Sequence, residues 1–175
     1  PFQLKATLKE ISMFDTYKLV FHDTGCAGLA PDEESFKLFI DDSEIKTENA
    51  FTVVISGNNF TVTINDVIAL GATDNSVVSV EYEAELTESA NIGSTGNSNE
   101  VWLEYSNNPN YQAPSQQGGT AEEEMGRTVV DRVIVFTYKV DINKYEKLNN
   151  ADAPLSGAGF TLYKKAPGEE GATTE

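Results

Sequence analysis

The stretch Tyr17-Lys18-Leu19-Val20-Phe21-His22 shows the spacing of two between apolar residues that recurs along the chain. Tyr17, Leu19 and Phe21 share one face and alternate with residues that face the other way, which is the pattern of a half-buried β-strand. Similar runs, rich in Val, Ile, Thr, Phe and Tyr and bounded by Gly, Asn, Asp or Pro, are Phe2–Ala6, Phe36–Ile40, Phe51–Ile55, Phe60–Ile64, Val77–Leu86 and Val101–Tyr105. Only Asn65–Leu70 is predicted to be helical, over a turn or two. This pattern predicts an all-β fold, an antiparallel, immunoglobulin-like β-sandwich.

The domain organisation follows from two breaks in the pattern. Residues 107–121 form a loop-like segment rich in Asn, Pro, Gln, Ser and Gly, and the acidic run Glu122–Glu124 follows it. The β-prone stretch that follows, Thr128–Lys144, is much longer than the usual ~5–6 residues of a strand. We therefore expect it to close a first domain, residues 1–137, and to open a second, residues 138–175. The second segment is too short for a sandwich, so we expect it to be a truncated domain.

The composition excludes several classes of function. Lys and Arg number 12 against 28 Asp and Glu, and the resulting net charge of −16 argues against a nucleic-acid partner. No run approaches the ~18 apolar residues of a membrane span. The single cysteine, Cys26, cannot form an internal disulfide, and His22 has no second histidine with which to complete a zinc site. Because no nucleophile–base pair or phosphate loop is present either, we expect no enzyme, no cofactor and no metal.

Three polar residues extend apolar strand faces by one step. Asp23 follows Leu19 and Phe21 at a spacing of two, Asn107 follows Leu103 and Tyr105, and Lys144 follows Val140 and Ile142. One interpretation is that each residue marks the place where a strand leaves the core.

The other interpretation of these residues is chemical. Burial raises the pKa of a carboxyl and lowers that of an amine, so a protonated acid can polarise an asparagine amide while a neutral lysine attacks it. Ammonia would leave and an isopeptide bond would join two strands.

Several motifs resemble one family, the major (backbone) pilins of Gram-positive sortase-assembled pili. In the first domain they are Pro1–Leu8, Tyr17–Thr24 with Gly28-Leu29, and Gly96–Asn110 with its Tyr-Ser-Asn-Asn-Pro core. The later segments Phe136–Lys144 and Leu155–Tyr163, the latter beginning Leu-Ser-Gly-Ala-Gly-Phe, are similar to the opening of the collagen-adhesin B-type domain that follows in such subunits. The resemblance implies a collagen-adhesin-type sandwich and a structural role in the pilus shaft.

The resemblance also implies site residues. Asp23 matches the acid that assists isopeptide formation in the first domain, and the pair Asn107-Asn108 matches the amide. Strand parity favours Asn107 as the amide residue, and Asn108 is the alternative. Lys144 matches the isopeptide lysine of the second domain. The lysine of the first domain is expected on a strand before Pro1, and the Asn and Glu of the second beyond Glu175. Neither bond is therefore expected to close within this chain.

The family further implies a subunit on the cell surface, anchored in the cell wall and joined to other pilin subunits by sortase. The sorting signal and the pilin lysine motif are absent from these 175 residues. The alternative function is a surface adhesin domain that binds a host protein or glycan. A calcium-binding wall domain would use the acidic segments Asp41–Glu44 or Asp141–Asp152, but neither has EF-hand spacing.

Overall fold

The computed structural model describes residues 1–110, 125–149, 151–157 and 159–161 of the chain. These residues confirm the predicted all-β antiparallel class: their only helices are two single 3-10 turns, Ile11–Met13 and Glu33–Ser35. The chain divides into two units, Pro1–Tyr138 and Lys139–Glu175, a division one residue later than the boundary expected from the sequence. That these units are a pilin middle domain and the start of a B-type domain stays a prediction.

The first unit contains twelve strands in its described part. They are β1 (Phe2–Thr7), β2 (Leu19–Gly25), β3 (Leu29–Pro31), β4 (Lys37–Ile40), β5 (Ser43–Glu44), β6 (Thr52–Ser56), β7 (Asn59–Ile64), β8 (Val77–Tyr82), β9 (Ala84–Leu86), β10 (Asn97–Ser106), β11 (Met125–Arg127) and β12 (Asp131–Val135). One sheet has the order β1-β8-β4-β5. The larger sheet has the order β10-β2-β7-β6, with β11 and β12 both pairing along the outer edge of β10. Strands β3 and β9 form a small separate pair.

The core lies between these two sheets, where side chains spaced two apart meet. Leu19, Val62 and Val80 represent three central strands, β2, β7 and β8, and each is fully buried. Alternate residues of β7 are exposed or half-buried, so this strand follows the period of two that the sequence predicts. The apolar faces of both sheets therefore share a single interior.

The segment Asn65–Leu70 is a turn, and the helical prediction for it is wrong. Asp66 explains the difference, because its side-chain Oδ1 accepts hydrogen bonds from the backbone nitrogens of Ile68 (3.0 Å) and Tyr17 (3.2 Å). An aspartate that binds the backbone two residues ahead favours a turn over a continuing helix. The turn then inserts Val67 into the core.

Two predicted strands have different bounds in the structure. The run Val77–Leu86 breaks into β8 and β9 at Glu83, whose backbone nitrogen donates to the Ser35 hydroxyl at 2.8 Å. Strand β10 begins at Asn97, four residues before the predicted start at Val101. This extension matters because it brings two buried asparagines, Asn97 and Asn99, into the larger sheet.

The described part of the second unit is a short β-hairpin. Strands β13 (Tyr145–Leu148) and β14 (Ala151–Pro154) pair antiparallel, and Asn149 follows β13 in a left-handed conformation (φ 52°). Asparagine tolerates that conformation better than most residues, which suits a turn. Throughout the described ranges, no helix has the length and apolarity that a membrane crossing would require.

Candidate functional site

Asp23 is a charged residue in the interior of the first unit. It lies near the end of β2 on the same face as Leu19 and Phe21, and only 3% of its surface is exposed. Its neighbours in the sheet are Phe60 on β7 and Val101 on β10. The strand period therefore places a carboxyl among apolar side chains, as the sequence predicts for this position.

Asp23 forms a hydrogen-bonded triad with residues from two other strands. Its Oδ2 accepts a hydrogen bond from the Tyr82 hydroxyl on β8 at 3.1 Å and one from the Asn99 Nδ2 on β10 at 2.7 Å. The Asn99 Nδ2 also lies 3.0 Å from the Tyr82 hydroxyl oxygen. Tyr82 and Asn99 are themselves buried. The triad thus joins the two sheets through one set of polar contacts inside an apolar core.

Burial sets the acid–base behaviour of the triad. Loss of solvent raises the pKa of Asp23 from 3.8 to about 6, although the hydrogen bonds from Asn99 and Tyr82 oppose the rise. Burial also raises the pKa of Tyr82, and the nearby Asp23 carboxylate raises it further, so the phenol stays protonated and donates. A carboxyl with a pKa near 6 can both release and take up a proton close to neutral pH.

Aromatic rings from both sides of the sandwich pack against Tyr82 of the triad. Phe2 and Phe36 stack on the ring of Tyr82 at centroid distances of 5.1 and 5.3 Å, and Phe60 meets that ring edge-on at 4.7 Å. Stacked and edge-to-face rings pack closely and exclude water. These rings are part of the apolar surroundings of the triad.

The structure does not bring Asn107 to Asp23. Asn107 is exposed and follows the last residue of β10, whereas Asp23 pairs with Val101, six residues earlier. At about 3.4 Å per residue, the two side chains are separated by about 20 Å along the strand. Asn108, the alternative, is half-buried, and its Oδ1 accepts a hydrogen bond from the backbone of Asn110 at 3.0 Å, as in a turn.

The amide beside Asp23 belongs to Asn99, which the sequence argument did not single out. The signal was available, because Asn99 precedes Val101, Leu103 and Tyr105 at the same spacing of two. Extended forward from Tyr105, the face leads to Asn107; extended backward from Val101, it leads to Asn99. Asn97 lies on this face as well, but its amide binds the backbone of Asn91 (2.8 and 3.1 Å) and the carbonyl of Val135 (3.3 Å).

Lys144 lies in the second unit, directly before β13, and its side chain is exposed. Its backbone carbonyl accepts a hydrogen bond from the nitrogen of Leu155 at 2.9 Å, which closes the base of the hairpin. The amide and acid that the family resemblance assigns to it were expected beyond Glu175. Its role as an isopeptide lysine stays a prediction.

The opposite face of the larger sheet carries a stacked group. The His22 ring lies parallel to that of Trp102 at 3.7 Å, and its Nε2 is 3.0 Å from the Glu104 carboxylate. The Arg127 guanidinium lies 3.7 Å from the centre of the Trp102 ring. Within the described ranges, no three His, Cys, Asp or Glu side chains are grouped in a way that could hold a metal.

This stacked group yields a modest stability prediction. We expect Arg127→Ala to lower the free energy of unfolding by about 1 kcal/mol, because it removes the cation over Trp102. Urea unfolding followed by tryptophan fluorescence measures the change. Arg132→Ala is the matched control, since among the described residues that guanidinium makes only an exposed ion pair, with Glu100 at 3.5 Å. Equal effects of the two changes would mean that the contact with Trp102 contributes nothing.

No family model matches the sequence, and no curated protein matches it either. Solved structures do match in fold. The T6 backbone pilin of Streptococcus pyogenes serotype M6 is 17% identical, with a TM-score of 0.54 over 78% of this chain and 30% of that one. The major pilin subunit BcpA of Bacillus cereus is 19% identical, with a TM-score of 0.55 over 77% of this chain and 33% of that one.

The full-length major pilin RrgB of Streptococcus pneumoniae is 20% identical, with a TM-score of 0.52 over 62% of this chain and 18% of that one. The chain therefore spans a third or less of each of these structures. At these identities the matches show a similarity of fold alone. The T6 pilin and BcpA structures match most of this chain, and all three matched structures are pilins.

Proposed function

We propose that this chain is part of the shaft subunit of a cell-surface pilus and that its first domain forms an intramolecular isopeptide bond. The observation that carries the proposal is the contact between the buried Asp23 carboxyl and the Asn99 amide. The similarity in fold to three pilins supports the same function. The sequence motifs add the expectation that the subunit is extracellular, anchored in the cell wall and linked to other subunits by sortase.

The proposed reaction joins a lysine to Asn99. A neutral lysine amine attacks Cγ of Asn99, a new C–N bond forms, and the bond between Cγ and Nδ2 breaks. Nδ2 leaves as ammonia and takes one proton that the amine gives up, so no oxidant, metal or cofactor takes part. The reaction occurs once per molecule, and the protein is its own substrate.

Asp23 is suited to move that proton. Its Oδ2 lies 2.7 Å from Nδ2, the atom that would leave. A carboxyl in this position can accept the proton of the attacking amine and pass it to the departing nitrogen. The same burial that raises the pKa of Asp23 would favour a neutral amine, because both charged forms lose hydration there.

The lysine of the first domain is proposed to lie on a strand that precedes Pro1. The lysines of β1 and of the loop after it do not suit the role, since Lys5 is exposed and the Nζ of Lys9, also exposed, bonds to the Asn75 side chain at 2.5 Å. Lys144 is proposed as the amine of a second bond, in the domain that begins near residue 138.

Mass spectrometry tests this function. The chain is expressed together with the residues that precede Pro1 in its gene, and its intact mass is recorded. We expect a deficit of one ammonia, which Asp23→Ala removes because it deletes the group that moves the proton. Asp15→Ala is the control, since this aspartate is exposed and its substitution should leave the deficit in place. The full theoretical mass in the unsubstituted protein would contradict the proposal.

A further inference from the structure

A buried amide joins the end of the first unit to the loop that precedes β10. Asn97, the first residue of β10, is fully buried. Its Oδ1 accepts a hydrogen bond from the backbone nitrogen of Asn91 at 2.8 Å, and its Nδ2 donates to the backbone carbonyls of Asn91 at 3.1 Å and of Val135 at 3.3 Å. We call these three contacts the Asn97 clasp. They tie β10 to the last residue of β12, 38 positions later in the chain.

Backbone contacts extend this connection to the point where the chain leaves the first unit. The nitrogen of Gly93 donates to the carbonyl of Thr137 at 2.8 Å, and Ile92 and Thr137 form a parallel bridge. The first unit ends at Tyr138, so residues 135–137 are among its last. The Asn97 clasp therefore lies at the base of the segment by which the first unit is covalently joined to the second.

Two glycines allow the close packing around the Asn97 clasp. A Cβ atom on Gly28 would overlap the Oδ1 of Asn97 and would lie 2.7 Å from the Cα of Ala90. A Cβ atom on Gly96 would overlap the side chain of Ile134 on β12. Because glycine has no side chain, the loop, β12 and the Asn97 amide can approach each other closely here.

Strand β12 has little else to hold it in place. Among the described residues it pairs only with β10, and four of its five residues are exposed. Edge segments with few buried apolar contacts open locally at a low cost in free energy. Removing one partner of an enclosed hydrogen bond costs more than the bond contributes on balance, because the other partner is left unpaired. The contacts of Asn97 should therefore decide how often β12 detaches.

We propose that β12, residues 136–137 and the loop of residues 91–96 form a strap that opens as one unit, and that the Asn97 clasp keeps this strap closed. The strap covers the edge of β10 at which Asn99 pairs with Val133, so its opening would admit water beside the triad. The strap itself does not depend on the proposed function. In a pilus shaft, a role that rests on the proposed function, tension applied beyond residue 138 would reach the sandwich through it.

Hydrogen exchange in the unsubstituted 175-residue chain, followed by NMR at low urea concentrations, tests the strap. We expect the amides of Asn91 and Gly93 to be protected although Asn91 is exposed, because both donate hydrogen bonds within the strap and the clasp. Their opening free energy and its urea dependence should equal those of the β12 amides and lie below those of β2 and β7. Exchange at the rate of an unstructured peptide, or at the rate of β2 and β7, would overturn the proposal.

Three variants test the role of the Asn97 clasp. Asn97→Ala removes all three contacts and should speed exchange in the strap at least about tenfold more than in β2 and β7. Gly28→Ala displaces the Asn97 side chain and should act in the same direction. Asn91→Ala is the matched control, since it removes the bond from the Asn91 side chain to the carbonyl of Gly96 (3.2 Å) and keeps the backbone groups that Asn97 binds. It should change exchange in the strap less than about threefold.

The remaining outcomes are also decisive. Equal acceleration in the strap, β2 and β7 would mean that Asn97 stabilises the whole domain and is not a clasp. Equal effects of Asn97→Ala and Asn91→Ala would contradict the proposal as well. If Asn97→Ala does not fold, Gly28→Ala and the exchange pattern of the unsubstituted chain give the answer. None of these measurements involves the isopeptide bond, so the proposed function and the strap can each fail without the other.

Discussion

Asn99→Ala, in the chain extended before Pro1, is expected to abolish the loss of ammonia completely, whereas Asn107→Ala should leave it intact. Asn99 contacts the buried carboxyl of Asp23 at 2.7 Å, and Asn107 is exposed beyond the end of β10. Only an amide beside the acid can use it to transfer a proton. Intact mass spectrometry of both variants gives the result directly.

Loss of the isopeptide bond should also lower the free energy of unfolding. A covalent link between strands restricts the unfolded chain as a disulfide does, with an effect of roughly 2–5 kcal/mol. We expect Asn99→Ala to lose about this much in urea unfolding, and Asn107→Ala to change by less than about 0.5 kcal/mol. The opposite result, with the loss of ammonia abolished by Asn107→Ala and kept in Asn99→Ala, would contradict the role proposed for Asn99. The amide would then belong to Asn107, as the sequence predicts.

Asp23→Asn should change how the stability of the 175-residue chain depends on pH. Burial raises the folded-state pKa of Asp23 to about 6, above its ordinary 3.8, so the folded protein binds the proton more tightly than the unfolded chain does. The contribution of Asp23 to the free energy of unfolding is therefore highest where the carboxyl is protonated in both states, below about pH 4. It falls as pH rises through 6, by about 3 kcal/mol in all.

Asparagine carries no charge, so the variant should lack this loss. We compare the free energy of unfolding of Asp23→Asn with that of the unsubstituted chain at about pH 3 and about pH 8. We expect the difference to shift in favour of the variant by about 3 kcal/mol from the lower to the higher pH. These conditions also avoid the isoelectric point near 4.3, where a protein with little net charge aggregates easily. Urea unfolding at both pH values measures the change, with Asp15→Asn as the exposed control. If the variant and the unsubstituted chain differed in free energy of unfolding by the same amount at both pH values, the folded-state pKa of Asp23 would not be raised and the prediction would be wrong.

Much of the fold was predictable from the chain alone. The alternation of Tyr17, Leu19 and Phe21, repeated in the other runs, determined the antiparallel β class and the core faces. It also determined that Asp23 is on a buried face, because side chains two apart in a strand point the same way. The turn at Asn65–Leu70 was missed because the Asp66 side chain replaces helical hydrogen bonds with its own.

The partner of Asp23 depended on tertiary structure. Alternation determines which face a residue occupies, but it does not determine which residue of a neighbouring strand lies opposite. Asn97, Asn99 and Asn107 all share the face of Val101, and only the pairing of Val101 with Asp23 selects Asn99. Tyr82 comes from the other sheet, through contacts between residues 59 positions apart, so no local pattern could have revealed it.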